Sequence, residues 1–256
     1  MENNNAPLVS VIMPAYNAER FVEEAIRSVM SQTITDWELL VLDDGSKDGT
    51  ARIAADLAAQ DPRIRFLPNE ANMGVAKTRN RGFDLCRGQY VALLDSDDVW
   101  HPDKLEKQLA LAEQTGADIV YCSYGIMDEH GNKSCDDFIV PEQVDMEGFL
   151  ARSVMSCSTV LLSRGIANRY RFMTEFYHED LALWLQLLYD GYQANGVVEV
   201  LAQYRVMQGT RASNKLKSAW NRWQIYRRYL GLSCGKSMLL IMQYACLGFK
   251  KYRKRK

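Results

Sequence analysis

The stretch Tyr90-Val91-Ala92-Leu93-Leu94-Asp95-Ser96-Asp97-Asp98 decides the fold and much of the chemistry that the sequence predicts. Five apolar residues in a row are typical of a strand buried on both faces of a sheet. Ligands of open α/β sheets bind at the carboxyl ends of such strands, where the aspartates follow. Carboxylates there can hold a hard divalent cation, which can neutralise a diphosphate. Taken alone, the stretch fits a solvated acidic turn better, but the rest of the chain reverses that preference.

Strands and helices alternate over the first 125 residues. The apolar runs predict the strands 8–13, 37–42, 64–67, 90–94 and 118–124, with Pro14 ending the first. The helices are predicted at 19–30, 50–59, 75–86 and 102–114, and Asp48 can cap the second of them. This alternation predicts an α/β fold with a Rossmann-like, mainly parallel sheet flanked by helices.

The pattern loosens after residue 125. The sequence predicts an acidic, turn-rich loop at 127–140, a strand at 158–162, a helix at 180–189, one or two strands at 197–207 and a basic helix at 213–230. No second independent domain is predicted. The body is followed by a basic C-terminal helical arm, residues 213–256.

The net charge of −1 hides a strong asymmetry along the chain. Residues 214–256 contain 12 basic and no acidic residues, whereas residues 1–213 contain 19 basic and 32 acidic ones. Residues 237–249 are too few to span a hydrocarbon core of ~30 Å as a helix. As a helix, they can lie at the membrane–water interface while residues 250–256 contact anionic lipid. The alternative is a docked helix with a polar tail. A nucleic-acid partner is disfavoured because the body is acidic.

The N-terminus does not resemble a signal peptide, and the six cysteines show neither zinc-site nor disulfide-framework spacing. Cysteines without the spacing of a disulfide framework are typical of proteins in a reducing compartment. The sequence therefore predicts a cytoplasmic protein, peripheral at the inner face of the cell membrane.

Polar residues follow several strand ends, which lie side by side in a parallel sheet. Tyr16 can stack on a base, and Asp44 can accept a hydrogen bond from a ring N–H, which favours uracil or thymine over cytosine. Lys77, Arg79 or Arg81 can pair with phosphate oxygens. Each residue has a purely structural alternative: a strand cap for Tyr16, an Asp-Gly turn for Asp44, and a solvated helix face for the three basic residues.

Glu179 and Asp180 stand at the start of the most amphipathic helix. The dipole at a helix N-terminus favours an ionised carboxylate. An ionised carboxylate that faces a cleft can act as general base toward a hydroxyl. The alternative role of Asp180 is that of an N-cap.

These segments together resemble family 2 glycosyltransferases with the GT-A fold. The matching motifs, in order over residues 7–210, are VSVIMPAYN (9–17), SQT (31–33), WELLVLDDGSKDGT (37–50), NMGVAKTRNRG (72–82), LDSDD (94–98) and EDLALWL (179–185). Residues 214–219 and the basic arm are similar to bacterial surface-polysaccharide transferases, including teichuronic acid enzymes.

The resemblance implies an inverting transfer of one sugar from a nucleotide-diphosphate sugar, a UDP-sugar, to a hydroxyl of a glycan or lipid-linked acceptor in cell-surface polysaccharide synthesis. It implies a catalytic domain at 1–212, with a nucleotide-sugar half at 1–125 and an acceptor half at 126–212. The acidic segment 128–145 and residues 170–177 are expected to shape the acceptor site.

The resemblance also assigns roles to single residues. The expected nucleotide-binding residues are Pro14, Ala15, Tyr16, Asn17, Asp44, Lys77, Arg79, Asp95 and Ser96. Asp97, with Asp95, is the expected ligand of Mn²⁺ or Mg²⁺. Asp180 is the expected catalytic base, with Glu179 as the second choice.

The chain departs from the family pattern in two places. Many relatives carry a His near position 207, where this chain has Met207, so that Arg205 and Arg211 are left to compensate. The Gln-x-x-Arg-Trp motif of processive synthases is missing, which favours one sugar per encounter.

Three other classes compete with this interpretation. A sugar nucleotidyltransferase needs a Gly-rich loop and a basic residue after the first strand, and Pro14-Ala15-Tyr16-Asn17 supplies neither. A dinucleotide dehydrogenase needs Gly-x-Gly-x-x-Gly at the same place. A catalytically idle scaffold recruited to a membrane would fit the loss of Asp97 or Asp180, and both are present.

Overall fold

Residues 90–93 of the apolar run form a central strand of a mixed sheet, which has ten strands among the residues that the structure describes. The computed structural model describes the backbone of residues 6–207 and 215–253, and the side chains of residues 6–207 and 217–244. The strands are β1 (Val9–Ala15), β2 (Trp37–Asp43), β3 (Ile64–Phe66), β4 (Tyr90–Leu93), β5 (Val99–Trp100), β6 (Ile119–Met127), β7 (Lys133–Phe138), β8 (Gln143–Val144), β9 (Leu161–Ser163) and β10 (Ala194–Arg205). The helices are α1 (Val22–Met30), α2 (Thr50–Gln60), α3 (Val75–Leu85), α4 (Lys104–Thr115), α5 (Met146–Ala151), α6 (Arg164–Arg169), α7 (Glu179–Tyr189), α8 (Lys215–Gln224) and α9 (Cys234–Arg253).

The sheet has a parallel half and a mixed half. Its strand order is β3-β2-β1-β4-β9-β6-β10-β5, with β7 beside β6 and β8 beside β10. β1 to β4 pair in parallel, as the alternation of strands and helices predicts. β6 does not pair with β4, because the antiparallel β9 lies between them. The carboxyl ends of β1, β2 and β4 therefore lie together at one edge, where the acidic residues follow.

Helices cover both faces of the sheet and bury two apolar clusters. Side chains of β1 alternate between them, with Ile12 in one cluster and Val11 in the other. α1, α2 and α4 pack on the second face, whereas α3, α5, α6 and α7 pack on the first. The β-strand period of two thus gives both faces an apolar surface, and the result is a three-layer α/β/α arrangement.

Pro14 does not end β1, contrary to the sequence prediction. The strand continues to Ala15 in register with β2. Ile12 O accepts a hydrogen bond from Leu94 N, on the side of β1 that faces β4. Residues two apart on a strand direct their backbone groups to the same side, so the nitrogen of Pro14 also faces β4. The β4 pairing has already ended at Ile12, and the missing N–H of Pro14 interrupts no ladder hydrogen bond.

The predicted loop at 127–140 was wrong. β6 runs on to Met127 and forms a hairpin with β7. Asp128 closes the turn, since its Oδ1 accepts hydrogen bonds from His130 N and Asn132 N, and Gly131 takes the required positive φ of 82°. The exposed, polar side chains of β7 lack the alternation of a half-buried strand, which hid it in the sequence.

Smaller differences concern the second half of the chain. The predicted strand at 158–162 is a 3₁₀ turn, Cys157–Thr159, followed by β9. The predicted segment 197–207 belongs, as far as Arg205, to one long, bulged strand, β10. Gly49 is the N-cap of α2, although Asp48 Oδ1 still accepts from Thr50 N at 3.0 Å.

The predicted basic helix at 213–230 corresponds to α8 and a π-helical turn, Ile225–Tyr229; residues 213 and 214 lie outside the described residues. α9 covers the predicted interfacial segment. None of the helices within residues 6–207 and 215–253 combines the length and the apolar character that a membrane span requires.

Candidate functional site

An open cavity of about 900 Å³ lies at the carboxyl ends of β1, β2 and β4. The sequence predicted that polar residues after these strands would converge, and they do. The lining residues are Pro14, Ala15, Tyr16, Asp44, Asn72, Met73, Gly74, Val75, Ala76, Lys77, Arg79, Asp95, Ser96, Asp97, Thr174, Phe176, His178, Glu179, Asp180, Tyr204 and Arg205.

Of the nine nucleotide-binding residues that the resemblance implies, Asn17 alone lies outside the lining of this cavity. Its Oδ1 accepts a hydrogen bond from Lys47 N at 2.8 Å, and its own N–H donates to Ser46 Oγ at 2.9 Å. Its φ of 50° lies in the left-handed region, which Asn tolerates better than most residues. Asn17 therefore ties the turn after β1 to the turn after β2.

Tyr16 and Asp44 lie on the same wall of the cavity, at the ends of β1 and β2. Tyr16 is 49 % exposed, so its ring face is accessible to a flat ligand. Asp44 is buried, and its Oδ1 accepts hydrogen bonds from Asn69 Nδ2 and Met73 N, while Oδ2 accepts from Gly74 N. A carboxylate has about four acceptor positions, so these three donors leave one for a ring N–H.

Arg79 connects the segment after β4 with the start of α7. It stands on α3, and its guanidinium donates to Asp95 Oδ1 at 2.6 Å and to Glu179 Oε1 at 2.8 Å. The side chains of Arg79 and Glu179 are each 6 % exposed. Because both terminal nitrogens contact carboxylates, Arg79 orients Asp95 and Glu179. Lys77, also on α3, lines the cavity with an exposed, cationic side chain.

We expect Arg79→Met to lower the free energy of unfolding by about 3 kcal/mol or more, because it leaves buried Glu179 without its cation. Urea denaturation measures this change. Arg27→Met, which breaks the exposed pair with Glu23, is the matched control and should cost less than about 1 kcal/mol. The double variant Arg79→Met/Glu179→Gln should recover part of the loss. Equal, small losses for both single variants would contradict the structural role of Arg79.

Asp95 and Asp97 lie together on the cavity wall after β4. Burial, and next the charge of Asp95, raise the pKa of Asp97 to about 6. Asp98 points into the protein, where its Oδ2 accepts from Ser158 Oγ at 2.5 Å and its Oδ1 from Arg205 N at 2.9 Å. Burial and the charges of Asp97 and Asp95 also raise the pKa of Asp98. Only Asp95 and Asp97 of the three aspartates line the cavity.

The Asp95–Asp97 pair fits a divalent cation. Two carboxylates that repel each other in a partly buried place are relieved by a positive charge, and carboxylate oxygens suit Mg²⁺ and Mn²⁺. Within the part of the chain that the structure describes, no cluster of three or more acidic, His or Cys side chains could hold a metal. Phosphate oxygens and water would have to complete the coordination.

Asp180 also lines the cavity and lies in the first turn of α7. The helix begins at Glu179 with His178 as its N-cap, so the capping alternative for Asp180 was wrong. The carboxylate of Asp180 accepts a hydrogen bond from Leu181 N at 2.8 Å and is half-buried. Glu179 is buried against Arg79, and Asp180 is the more accessible of the two carboxylates.

Arg205 is held by several partners and is 3 % exposed. Its guanidinium donates to Asp97 O at 2.8 Å and to Glu24 Oε2 at 2.6 Å. It therefore orders the backbone at Asp97 rather than offering a free cation in place of the missing histidine. The same expectation for Arg211 lies outside the described residues.

Two other predicted features lie wholly or partly away from the main cavity, and a third lines it. Arg81 donates to Leu67 O, Pro68 O and Asn69 Oδ1, and does not line the cavity. Part of segment 128–145, from Asp137 onward, lines a second cavity of about 1250 Å³ at the amino end of β10 instead. Thr174 and Phe176, from the predicted segment 170–177, do line the main cavity.

Sequence reasoning missed Ser158, His178 and Tyr204. Ser158 Oγ links two residues of the acidic segment after β4, since it accepts a hydrogen bond from Asp95 N and donates one to Asp98 Oδ2. His178 and Tyr204 line the cavity from α7 and β10. No motif in the sequence marked Ser158. Tyr204 stands next to Arg205, in the segment that departs from the family pattern at Met207, and that adjacency was the available signal. His178 stands next to Glu179-Asp180, and that adjacency was the available signal.

A profile of glycosyl transferase family 2 matches residues 10–134. The chain is 37 % identical over 249 residues to a Bacillus subtilis protein named as a teichuronic acid biosynthesis glycosyltransferase, TuaG, covering 97 % of this chain and 98 % of the relative. It is 34 % identical over 247 residues to the Escherichia coli UDP-Glc:alpha-D-GlcNAc-diphosphoundecaprenol beta-1,3-glucosyltransferase WfgD, covering 96 % and 95 % of the two chains.

Two solved structures share the fold. S. aureus TarS 1–349 in complex with UDP-GlcNAc superposes with a TM-score of 0.72 at 19 % identity, covering 94 % of this chain and 72 % of that one. The mannosyltransferase PcManGT from Pyrobaculum calidifontis, in complex with GDP-Man and Mn²⁺, gives a TM-score of 0.69 at 18 % identity, covering 94 % and 70 %.

Proposed function

This chain belongs to glycosyl transferase family 2, and from that premise we propose that it is an inverting, metal-dependent transferase with the GT-A fold that moves one sugar from a UDP-sugar to a hydroxyl. The observation that carries the proposal is the convergence of Asp44, Asp95, Asp97 and Asp180 on one cavity at the carboxyl ends of the parallel strands. Residues 1–212 are its catalytic domain, with the donor half at 1–125 and the acceptor half at 126–212.

The donor's base lies between Tyr16 and Asp44. The ring of Tyr16 stacks on the base, and the remaining acceptor position of Asp44 takes a ring N–H, which uracil offers and cytosine does not. Lys77 neutralises part of the diphosphate charge. Relatives support a uridine donor, since WfgD is named for UDP-Glc and TarS was solved with UDP-GlcNAc.

Asp97 and Asp95 hold Mg²⁺ or Mn²⁺ when the donor is present. Such a cation stabilises negative charge on the leaving diphosphate. The complex of PcManGT with GDP-Man and Mn²⁺ supports a cation in this fold. Arg79, bound to Asp95 and Glu179, keeps these two carboxylates in place.

Asp180 is the general base. The acceptor hydroxyl oxygen forms a bond to the anomeric carbon, the bond from that carbon to the diphosphate oxygen breaks, and the hydroxyl proton passes to Asp180. A single displacement inverts the anomeric configuration. Glu179 is less suited, because its carboxylate is buried against Arg79.

The acceptor is a lipid-linked glycan of cell-surface polysaccharide synthesis, and the protein works in the cytoplasm, peripheral at the inner face of the membrane. The names of TuaG and WfgD, one a teichuronic acid transferase and the other acting on a diphosphoundecaprenol-linked sugar, support this assignment. Thr174 and Phe176 line the same cavity as Asp180, and they are the candidates for contact with the acceptor.

Incubation with UDP-glucose or UDP-N-acetylglucosamine, Mn²⁺ and a lipid-diphosphate-linked N-acetylglucosamine tests the proposal. We expect UDP release that depends on both acceptor and cation, and a product whose new glycosidic bond has the opposite anomeric configuration to the donor, seen by proton NMR coupling. A retained configuration would contradict the single displacement at Asp180.

A further inference from the structure

α9 carries an apolar surface that the protein body leaves exposed. Met238, Leu239 and Met242 are 58, 51 and 53 % exposed, and their spacing of one and four residues puts them on one side of the helix. Ser237 and Leu240, at other positions of the same helix, are buried against the body. The helix is therefore docked by one side, and its other side presents three large apolar side chains to the surroundings.

The segment that carries this surface has only basic charged residues. Residues 214–256, which include α8 and α9, have 12 basic and no acidic residues, while the rest of the chain carries a net charge of −13. A helix with an apolar side and basic neighbours suits the interface of an anionic bilayer. A two-fold dimer through the same surface would bring two basic arms against each other, which opposes that arrangement.

α8 connects this surface to the acceptor side of the cavity. Asn221 Oδ1 accepts a hydrogen bond from His178 N at 2.9 Å, and Lys217 Nζ lies 4.3 Å from the centre of the Tyr177 ring. Tyr229, in the π-helical turn after α8, contacts Phe176 edge to face at 6.1 Å between ring centres. His178 and Phe176 line the same cavity as Asp180. The position of the arm and the shape of the acceptor entrance are therefore coupled.

α9 is also fixed to the body. Arg222 of α8 lies 3.9 Å from the centre of the Tyr244 ring of α9, and Lys236 pairs with Glu147 of α5 at 3.8 Å. An arm held in this way transmits its orientation to the whole catalytic domain.

We propose that α9 docks on an anionic lipid bilayer through Met238, Leu239 and Met242, with the basic residues of the arm on lipid phosphates, and that this docking holds the acceptor entrance beside Asp180 at the lipid surface. The second clause rests on the proposed function, because only a lipid-linked acceptor gains from that placement. The docking itself does not depend on it.

Cosedimentation of the full chain with phosphatidylcholine vesicles, with and without phosphatidylglycerol, tests the proposal. We expect binding to the anionic vesicles that weakens with added salt. The triple variant Met238→Ser/Leu239→Ser/Met242→Ser should bind them at least about tenfold more weakly, since each substitution removes apolar area from the contact. Tyr189→Ser/Val198→Ser, at exposed apolar positions elsewhere, is the matched control and should bind like the wild type.

Nucleotide binding separates this proposal from the proposed function. The triple variant should bind UDP with unchanged affinity, because none of the α9 side chains that the structure describes, up to residue 244, lines the cavity. Unchanged vesicle binding by the triple variant overturns the docking surface. Absence of vesicle binding, together with a dimer by sedimentation equilibrium that the triple variant loses, assigns the surface to a second copy and also overturns the proposal. Vesicle binding without any nucleotide binding leaves the docking supported and removes the transferase function.

Discussion

We expect Asp180→Asn to lower the turnover number of sugar transfer by at least about 10²-fold and to leave the affinity for UDP within about twofold. Asparagine keeps the size of the side chain and its hydrogen bond from Leu181 N, but it cannot take a proton from the acceptor hydroxyl. Steady-state transfer assays and UDP titrations measure the two effects separately.

Asp190→Asn, just after the other end of α7, is the matched control and should keep wild-type turnover. Glu179→Gln distinguishes the two carboxylates at the start of the helix, because it disturbs the pair with Arg79 and should lower stability as well as turnover. Wild-type turnover in Asp180→Asn would mean that another group accepts the proton.

Asp97→Asn should abolish most of the gain in UDP affinity that Mn²⁺ confers and lower turnover by at least about tenfold, since it replaces a cation ligand with a neutral amide. Treatment of the wild type with a chelator should have the same effect. Titrations with and without Mn²⁺ measure it, and Asp36→Asn, an exposed aspartate before β2, should behave like the wild type.

The stability of Asp97→Asn shows whether its loss of UDP affinity and turnover comes from unfolding. Burial and Asp95 raise the pKa of Asp97 from 3.8 to about 6, so the folded state holds this proton more tightly than the unfolded state. The charge of Asp97 therefore costs stability above about pH 6, and the cost disappears below pH 3.8. Asp97→Asn should be at least as stable as the wild type at neutral pH, with the difference vanishing in acid. A Mn²⁺ effect that survives in this variant would contradict the cation role of Asp97.

The sequence predicted the parallel half of the fold because its strands are buried on both faces and read as continuous apolar runs. β7, α5 and α6 escaped prediction for a physical reason: β7 is a polar, exposed hairpin strand, and the two helices are only six residues long. In short or exposed elements, tertiary contacts rather than periodicity fix the backbone.

Some residues of the candidate site could also be predicted from the sequence, and others could not. Tyr16, Asp44, Asp95 and Asp97 could be predicted because they follow strands whose ends converge in any parallel sheet. The pairing of Arg79 with Glu179, 100 residues apart, could not, because it depends on how α7 packs against α3. For Asn17, the sequence showed its place beside Tyr16 but not its hydrogen bonds to the turn after β2.

Titration calorimetry of the wild-type protein with UDP, GDP and dTDP, each with and without Mn²⁺, tests the donor site most directly. We expect UDP to bind most tightly and its affinity to rise when Mn²⁺ is present. If none of the three nucleotides binds in the presence of Mn²⁺, the cavity at the ends of β1, β2 and β4 is not a nucleotide-sugar site, and the proposed transferase activity is wrong.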